Sequence, residues 1–283
     1  MPKQLYGELT QKQVNTYGLV LSSQGVSYFV TKSASGWEIW VEESLSNYAY
    51  TLITQYIAEN QHLPEIEIHD VPEYKNTYIG VWMALLLIGC HLRSNIDAQF
   101  NLIVREYSAS AVAILNGEIY RTVTALMLHS DYMHLAGNVA GIFIFGTAVG
   151  RIAGPGFGSL MILGTGILGN YANAALFRYG HVSIGASTAV FGAVGIAAAY
   201  QFHTKIKAGK QRMKAWLPLA GGLALLGFLG AGERADLTAH LFGFIAGIGI
   251  GLIYAHFRHH LTTKSVQTGS MATCVIILVL AWL

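Results

Sequence analysis

Two polar residues stand out in the apolar C-terminal half of the chain. One is Ser187, in Gly185-Ala186-Ser187-Thr188-Ala189-Val190-Phe191-Gly192, and the other is His240, in Ala239-His240-Leu241-Phe242-Gly243. A serine beside a histidine is the smallest apparatus for nucleophilic catalysis. The imidazole takes the hydroxyl proton as the oxygen attacks a carbonyl, then returns it to the leaving group. Taken alone, a serine in an apolar helix more often bonds the carbonyl four residues before it, and a lone histidine is as readily a satisfied interhelical group. The chemistry therefore depends on whether the fold brings the two together. Acyl transfer also needs donors for the negative oxygen of the tetrahedral intermediate, because lipid cannot stabilise that charge. His134 and Asn138 are four apart and share one helical face, where a ring nitrogen and an amide can both donate. The backbone N–H of Ser187 is a third donor. Taken alone, His134 and Asn138 fit equally well as interhelical hydrogen-bonders.

The elements that must position these groups are hydrophobic. The 283 residues are 53% hydrophobic and 11% charged, whereas about a quarter of the residues of a soluble domain are charged. The composition predicts a polytopic membrane protein with the lipid bilayer as its main partner. The 32 glycines suit membrane helices, which use small residues where backbones approach. Gly192 on one run and Gly243-x-x-x-Gly247 on another are placed for such packing next to Ser187 and His240. A net charge of +2 is too small to suggest nucleic acid. Cys90 and Cys274 lie in apolar runs without metal-ligand spacing, and free cysteine behaves as a small hydrophobe. No metal and no cofactor is expected.

Residues 1–72 read as a soluble α+β domain. Val26/Tyr28/Val30 and Trp37/Ile39/Val41 alternate as half-buried strands do, and Leu45, Tyr48, Ala49, Leu52, Ile53, Tyr56 and Ile57 form one helical stripe. The expectation is three strands and one covering helix. Residues 93–125 mix apolar, small and charged positions, which suits either an interfacial segment or an ordinary surface loop. Apolar runs at about 77–92, 133–153, 158–178, 183–202, 215–232, 236–257 and 268–283 give about seven spans. The basic connection 205–214, together with Arg258 and Lys264, places those loops and the N-terminal domain in the cytoplasm, with the C-terminus outside, by the positive-inside rule. Ser187 and His240 then each lie about four residues into a span that enters from the outer face, some 6 Å below its end at about 1.5 Å per residue. His134 and Asn138 sit at a similar depth.

In order along the chain, Tyr120-Arg121, His129 followed by His134-Leu135-Ala136-Gly137-Asn138, Gly185-x-Ser187 and Ala239-His240-x-x-Gly243-x-x-x-Gly247 resemble the motifs of the rhomboid intramembrane serine proteases. The closest likeness is to the bacterial type with a cytoplasmic N-terminal domain and a six-plus-one helix arrangement. The resemblance implies an all-α membrane bundle carrying the small α+β domain: residues 1–72 cytoplasmic, 73–257 the six-helix protease core, and 258–283 a linker and seventh helix. It implies Ser187 as nucleophile, His240 as general base without an acidic third member, and His134, Asn138 and the Ser187 backbone N–H as oxyanion donors. Gly185 would leave an uncluttered backbone before the nucleophile. Residues 93–125 match the family's membrane-embedded first loop, and 215–236 its substrate gate. The substrates implied are transmembrane proteins, cut near the outer face of a bacterial inner membrane. His181, Ser183, Glu233, Arg234 and Asp236 are placed to line a water path. The rival reading is a catalytically silent member that binds membrane proteins. The chain departs from the family at Thr188, where glycine is usual, and the β-branched side chain is expected to crowd the helix contact or alter substrate preference. Neither the substrate sequence nor the oligomeric state follows from the residues.

Overall fold

A computed structural model describes residues 2–60, 77–95, 100–207, 209, 212–229 and 235–283. The chain divides into two compact units, Met1–His69 and Asp70–Leu283.

In the first unit β1 (Pro2–Leu9), β2 (Tyr28–Lys32) and β3 (Trp37–Glu42) form an antiparallel sheet in the order β1-β3-β2. Two helices belong to it, where the sequence reading anticipates one: α1 (Gln11–Ser23) between β1 and β2, and α2 (Ser46–Asn60) after β3. Helix α1 begins at a capping box, in which the Thr10 side chain accepts from Gln13 N–H and the Gln13 side chain accepts from Thr10 N–H. That reciprocal pair satisfies two amides left free by the helix start. Val14, Gly18 and Leu21 form its buried stripe. Leu9, Val14, Leu21, Val26, Ile39, Val41, Ala49 and Ile53 make the core.

The second unit is helical. Helix α3 (Ile79–Asn95) is followed by α4 (Phe100–Tyr107), β4 (Ala109–Ser110), α5 (Ala111–Leu115) and α6 (Arg121–Thr124), then a 3₁₀ turn over Ala125–Met127. Residues 100–125 of the segment read as interfacial or as a plain loop thus form a folded structure. Arg121 ties it together by donating to Glu118 Oε2 at 2.7 Å, Arg105 O at 2.9 Å and Ser108 O at 3.4 Å. The Thr124 hydroxyl donates to Tyr107 O at 2.7 Å. Ala109, Ala111, Ile114 and Ala125 pack with Ala174 of the next long helix but one.

Helices α7 (Tyr132–Gly141) and α8 (Thr147–Ala153) are joined by one π-helical turn, Ile142–Gly146, into a continuous apolar stretch, Tyr132–Ala153. Gly154, at φ +85°, stops it, and Pro155 opens α9 (Pro155–Phe177). Proline suits a first helical position because its missing N–H would have no partner there. After β5 (Val182–Ser183) come α10 (Ser187–Lys207), the short α11 (Arg212–Ala215), α12 (Leu217–Leu229), α13 (Leu237–Leu261) and α14 (Lys264–Leu280). Tyr132–Ala153, Pro155–Phe177 and Leu237–Arg258 are long and apolar enough to cross a membrane, and Ile79–Ser94, Met213–Phe228 and Lys264–Leu280 are shorter apolar helices.

Helix α10 is the axis of the bundle. Thr188 through Ala199 are all buried, as expected for a helix apolar on every side, with α9, α12 and α13 packed around it. Small residues allow the closest approach. A methyl on Gly247 would sit inside Gly192 O, one on Gly243 inside Thr188 O, and one on Gly195 inside Phe244 O. Cys274, Ile277 and Leu278 of helix α14 pack into the core, and one polar side chain adds a further tie. Gln267 Oε1 accepts from the N–H groups of Gly156 and Phe157 at 3.0 and 3.1 Å, while its Nε2 donates to Ala153 O at 2.9 Å and Leu261 O at 3.3 Å. It caps α9 from another helix, because Gly154 has no side chain to do so.

One expectation needs correcting. The fourth long helix does not begin near residue 183, with Ser187 a turn inside it. Ala109 pairs with Ser183 and Ser110 with Val182 as strands, and Gly185 at φ +122° prevents a helix from starting earlier. Ser187 is the first residue of α10 and His240 the fourth of α13. Both lie in first turns.

Candidate active site

Ser187 and His240 meet although 53 residues separate them: His240 Nε2 lies 2.7 Å from Ser187 Oγ. This is hydrogen-bond distance, in the arrangement a nucleophile and its base require. His240 is 5% exposed and its ring packs against Phe191, one turn along α10 from Ser187, at 4.9 Å between centroids. The contact limits the rotamers open to the imidazole. Gly243, next along α13, brings the helix onto Thr188 O, so the backbones that carry the pair touch one residue beyond the serine.

His134 and Asn138 occupy the first two turns of α7. The helix is capped by Asp131, whose Oδ1 accepts from His134 N–H at 2.8 Å. His134 Nδ1 lies 3.2 Å from Ser130 Oγ, which leaves Nε2 for other work. Asn138 is 5% exposed and its Nδ2 donates to His134 O at 3.1 Å. Both side chains reach Gly185. A Cβ on that residue would lie 2.5 Å from His134 Nε2 and 3.5 Å from Asn138 Nδ2. The imidazole and the amide therefore converge on the backbone two residues before Ser187, at the N-terminus of α10, where helix amides favour negative charge.

His129 stands behind them. It is fully buried, its Nε2 accepts the Ala186 N–H at 3.5 Å, and its ring meets His134 edge-on at 5.1 Å and His91 at 6.3 Å. Burial first, then the neighbouring His134 and His91, push its pKa down to about 4. Neutral, it can accept from the residue next to Ser187. His91, 2% exposed on α3, was not singled out in the sequence. A lone histidine in an apolar run carried no spacing signal. Among the described residues no three His, Cys, Asp or Glu side chains are grouped as metal ligands.

Thr188 is 2% exposed. A methyl on Gly169 of α9 would meet its Cγ2 at 2.5 Å, and one on Gly243 would meet it at 3.1 Å. The branched side chain that the sequence reading expects to crowd the contact fills space left by two glycines.

Of the residues read as a water path, Asp236 and His181 are bonded to each other: His181 Nε2 lies 2.6 Å from Asp236 Oδ2. Ser183 belongs to β5. Glu233 and Arg234 lie outside the described residues.

A seryl oxygen held on an imidazole nitrogen, beside an anion-tolerant helix start with a second ring nitrogen and an amide close by, is equipped for acyl transfer. The Rhomboid domain matches residues 116–257, half of the chain and the part that holds all of these groups. The chain is 30% identical over 136 residues to the rhomboid protease homologue YdcA of Bacillus subtilis, covering 48% of this chain and 67% of that protein. Rhomboid-like protease 3 of Toxoplasma gondii is 26% identical over 200 residues, 70% of this chain and 76% of that one. Rhomboid protease GluP of Bacillus subtilis is 40% identical over 82 residues, 29% of this chain and 16% of that one. With that match over half its length, the chain belongs to the rhomboid family, and is a multi-pass membrane protein and a serine protease.

Proposed function

We propose that this protease cleaves transmembrane proteins through a Ser187–His240 dyad. Ser187 Oγ attacks the scissile carbonyl while His240 takes its proton. The imidazolium then protonates the leaving amine, and water activated by the same ring releases the acyl group. His134, Asn138 and the Ser187 N–H donate to the oxyanion, and Gly185 leaves the backbone beside them open for the scissile segment. Gly192, Gly243 and Gly247 hold the two helices close enough for the dyad to form. The observation that carries the reading is the 2.7 Å approach of His240 Nε2 to Ser187 Oγ.

Helix α12 is the gate in this reading. Leu226 packs with Phe191, Val194 and Phe244, and Phe191 also touches His240, so movement of α12 communicates with the base. The basic residues between α10 and α12 and after α13 support an orientation with the N-terminal unit cytoplasmic and the C-terminus outside. The site then opens toward the outer face of a bacterial inner membrane, with 1–72, 73–257 and 258–283 as working domains. A bound segment must leave its helical form to present a carbonyl, so small and helix-weakening residues near the cut are expected.

Purified wild-type protein in liposomes should cleave a reporter transmembrane substrate, and Ser187→Ala and His240→Ala should each abolish cleavage while eluting and melting as folded protein. Normal turnover by Ser187→Ala would sink the assignment.

A further inference from the structure

The dyad stands on the first turns of two helices that start far apart in sequence, and one carboxylate joins their approaches. Asp236 is the N-cap of α13: its Oδ1 accepts from Ala239 N–H at 3.0 Å and from the Thr238 hydroxyl at 2.9 Å. Its other oxygen faces away from α13. Oδ2 accepts from Asn173 Nδ2 at 2.7 Å and from His181 Nε2 at 2.6 Å. Asn173 is buried in the last part of α9. His181 lies six residues before Ser187, its ring stacked on Phe177 at 4.1 Å and 12° and its carbonyl accepting from Ala111 N–H at 3.0 Å. The carboxylate thus fastens the start of the His240 helix to α9 and to the segment that feeds Ser187. His240 itself hangs from the same residue, since its backbone N–H donates to Asp236 O at 3.0 Å.

We propose that Asp236, His181 and Asn173 form a positioning clamp that sets the distance between Ser187 Oγ and His240 Nε2. The inference rests on the dyad reading above and adds to it a carboxylate that acts on helix placement, without contact with substrate or with the reacting atoms. Burial alone would push the Asp236 carboxyl up, but the hydrogen bonds from Ala239, His181 and Thr238 outweigh it and hold its pKa below the ordinary value. The carboxylate is therefore charged at neutral pH, the form that binds two donors most strongly.

Two side-chain changes separate clamping from capping. Asp236→Asn keeps an oxygen for the cap, since asparagine caps as well as aspartate, but turns an amide N–H toward the Asn173 and His181 donors. His181→Phe keeps a ring on Phe177 and removes the donor, whereas His181→Gln keeps a donor. Full-length protein in liposomes would be assayed on a reporter transmembrane substrate, with active sites counted by fluorophosphonate titration so that kcat refers to folded enzyme. Because small misplacements of reacting groups can cost up to about 100-fold, Asp236→Asn and His181→Phe should each lower kcat by about 10- to 100-fold with little change in KM, and His181→Gln should keep wild-type kcat. Wild-type kcat in both Asp236→Asn and His181→Phe would overturn the clamp, as would equal losses in His181→Gln and His181→Phe. Cleavage by Ser187→Ala would instead strike at the dyad itself, so the two failures are distinguishable.

Discussion

A methyl group at position 185 tests the oxyanion assignment most locally. Gly185 has φ +122°, a conformation nearly restricted to glycine, and forcing alanine into it costs of order 1–3 kcal/mol. The new Cβ would lie 2.5 Å from His134 Nε2, and ordinary contact begins at 3.4 Å. The imidazole must therefore retreat by 3.4 − 2.5, about 0.9 Å, from the place where it is proposed to donate. Loss of one oxyanion donor costs about 100- to 1,000-fold in kcat, so Gly185→Ala should lower kcat by that order in a reporter assay. A double-mutant cycle isolates the route. If the methyl acts by displacing His134, then Gly185→Ala should cost much less in a His134→Ala background than in wild type, whereas independent effects would add. Full additivity, or unchanged kcat in the folded single variant, would refute the reasoning.

Further outcomes follow from the packing and the buried histidine. Gly247→Val should destabilise the bundle by at least the 1–3 kcal/mol typical of overpacking, because its side chain meets Gly192 backbone; thermal melting in detergent reads this directly. Gln267→Ala leaves two α9 amides and two carbonyls without their partner, so a melting loss of about 1–3 kcal/mol per abandoned buried group is the upper scale, with α14 released first to limited proteolysis. His129 has a folded pKa of about 4 against an ordinary value of 6.5, so the unfolded chain binds the proton first as pH falls. Stability from this group is intact above pH 6.5, declines toward about pH 4, and is lost below it, by about 3 kcal/mol at 1.36 kcal/mol per unit. A melting curve series from pH 7 to 4 should show that decline in wild type and a shallower one in His129→Gln.

The residues that converge at the site were legible because their types are expensive in a membrane and therefore informative. Ser187, His240, His134 and Asn138 stood out against apolar surroundings, and the fold brings the first two into hydrogen-bond contact and the other two onto Gly185. Only the helix start before Ser187 was misplaced, since His240 is the fourth residue of α13. Hydropathy sees an apolar run from about residue 183, but a strand pairing at Val182–Ser183 and the positive φ of Gly185 delay the helix to Ser187. Helix α1 escaped notice because only Val14, Tyr17, Gly18 and Leu21 mark its inner face, although Thr10 and Gln13 carry a capping signature. The bonds from Asp236 to His181 and Asn173, and from Gln267 to Ala153, Gly156 and Phe157, join residues 55 to 114 positions apart. Such pairings have no local period, so sequence placed His181 and Asp236 on a water path without showing that they bond. Thr188 could be judged only with its neighbours in view, since the room it occupies belongs to Gly169 and Gly243.

The central claim is that Ser187 is a nucleophile activated by His240. Its most direct test is the mass of the labelled peptide after purified protein reacts with a fluorophosphonate. A single adduct on Ser187 in wild type, absent from Ser187→Ala and greatly slowed in His240→Ala, is the predicted result. An adduct on Thr188 or elsewhere, or labelling of Ser187 at the wild-type rate in His240→Ala, would contradict it.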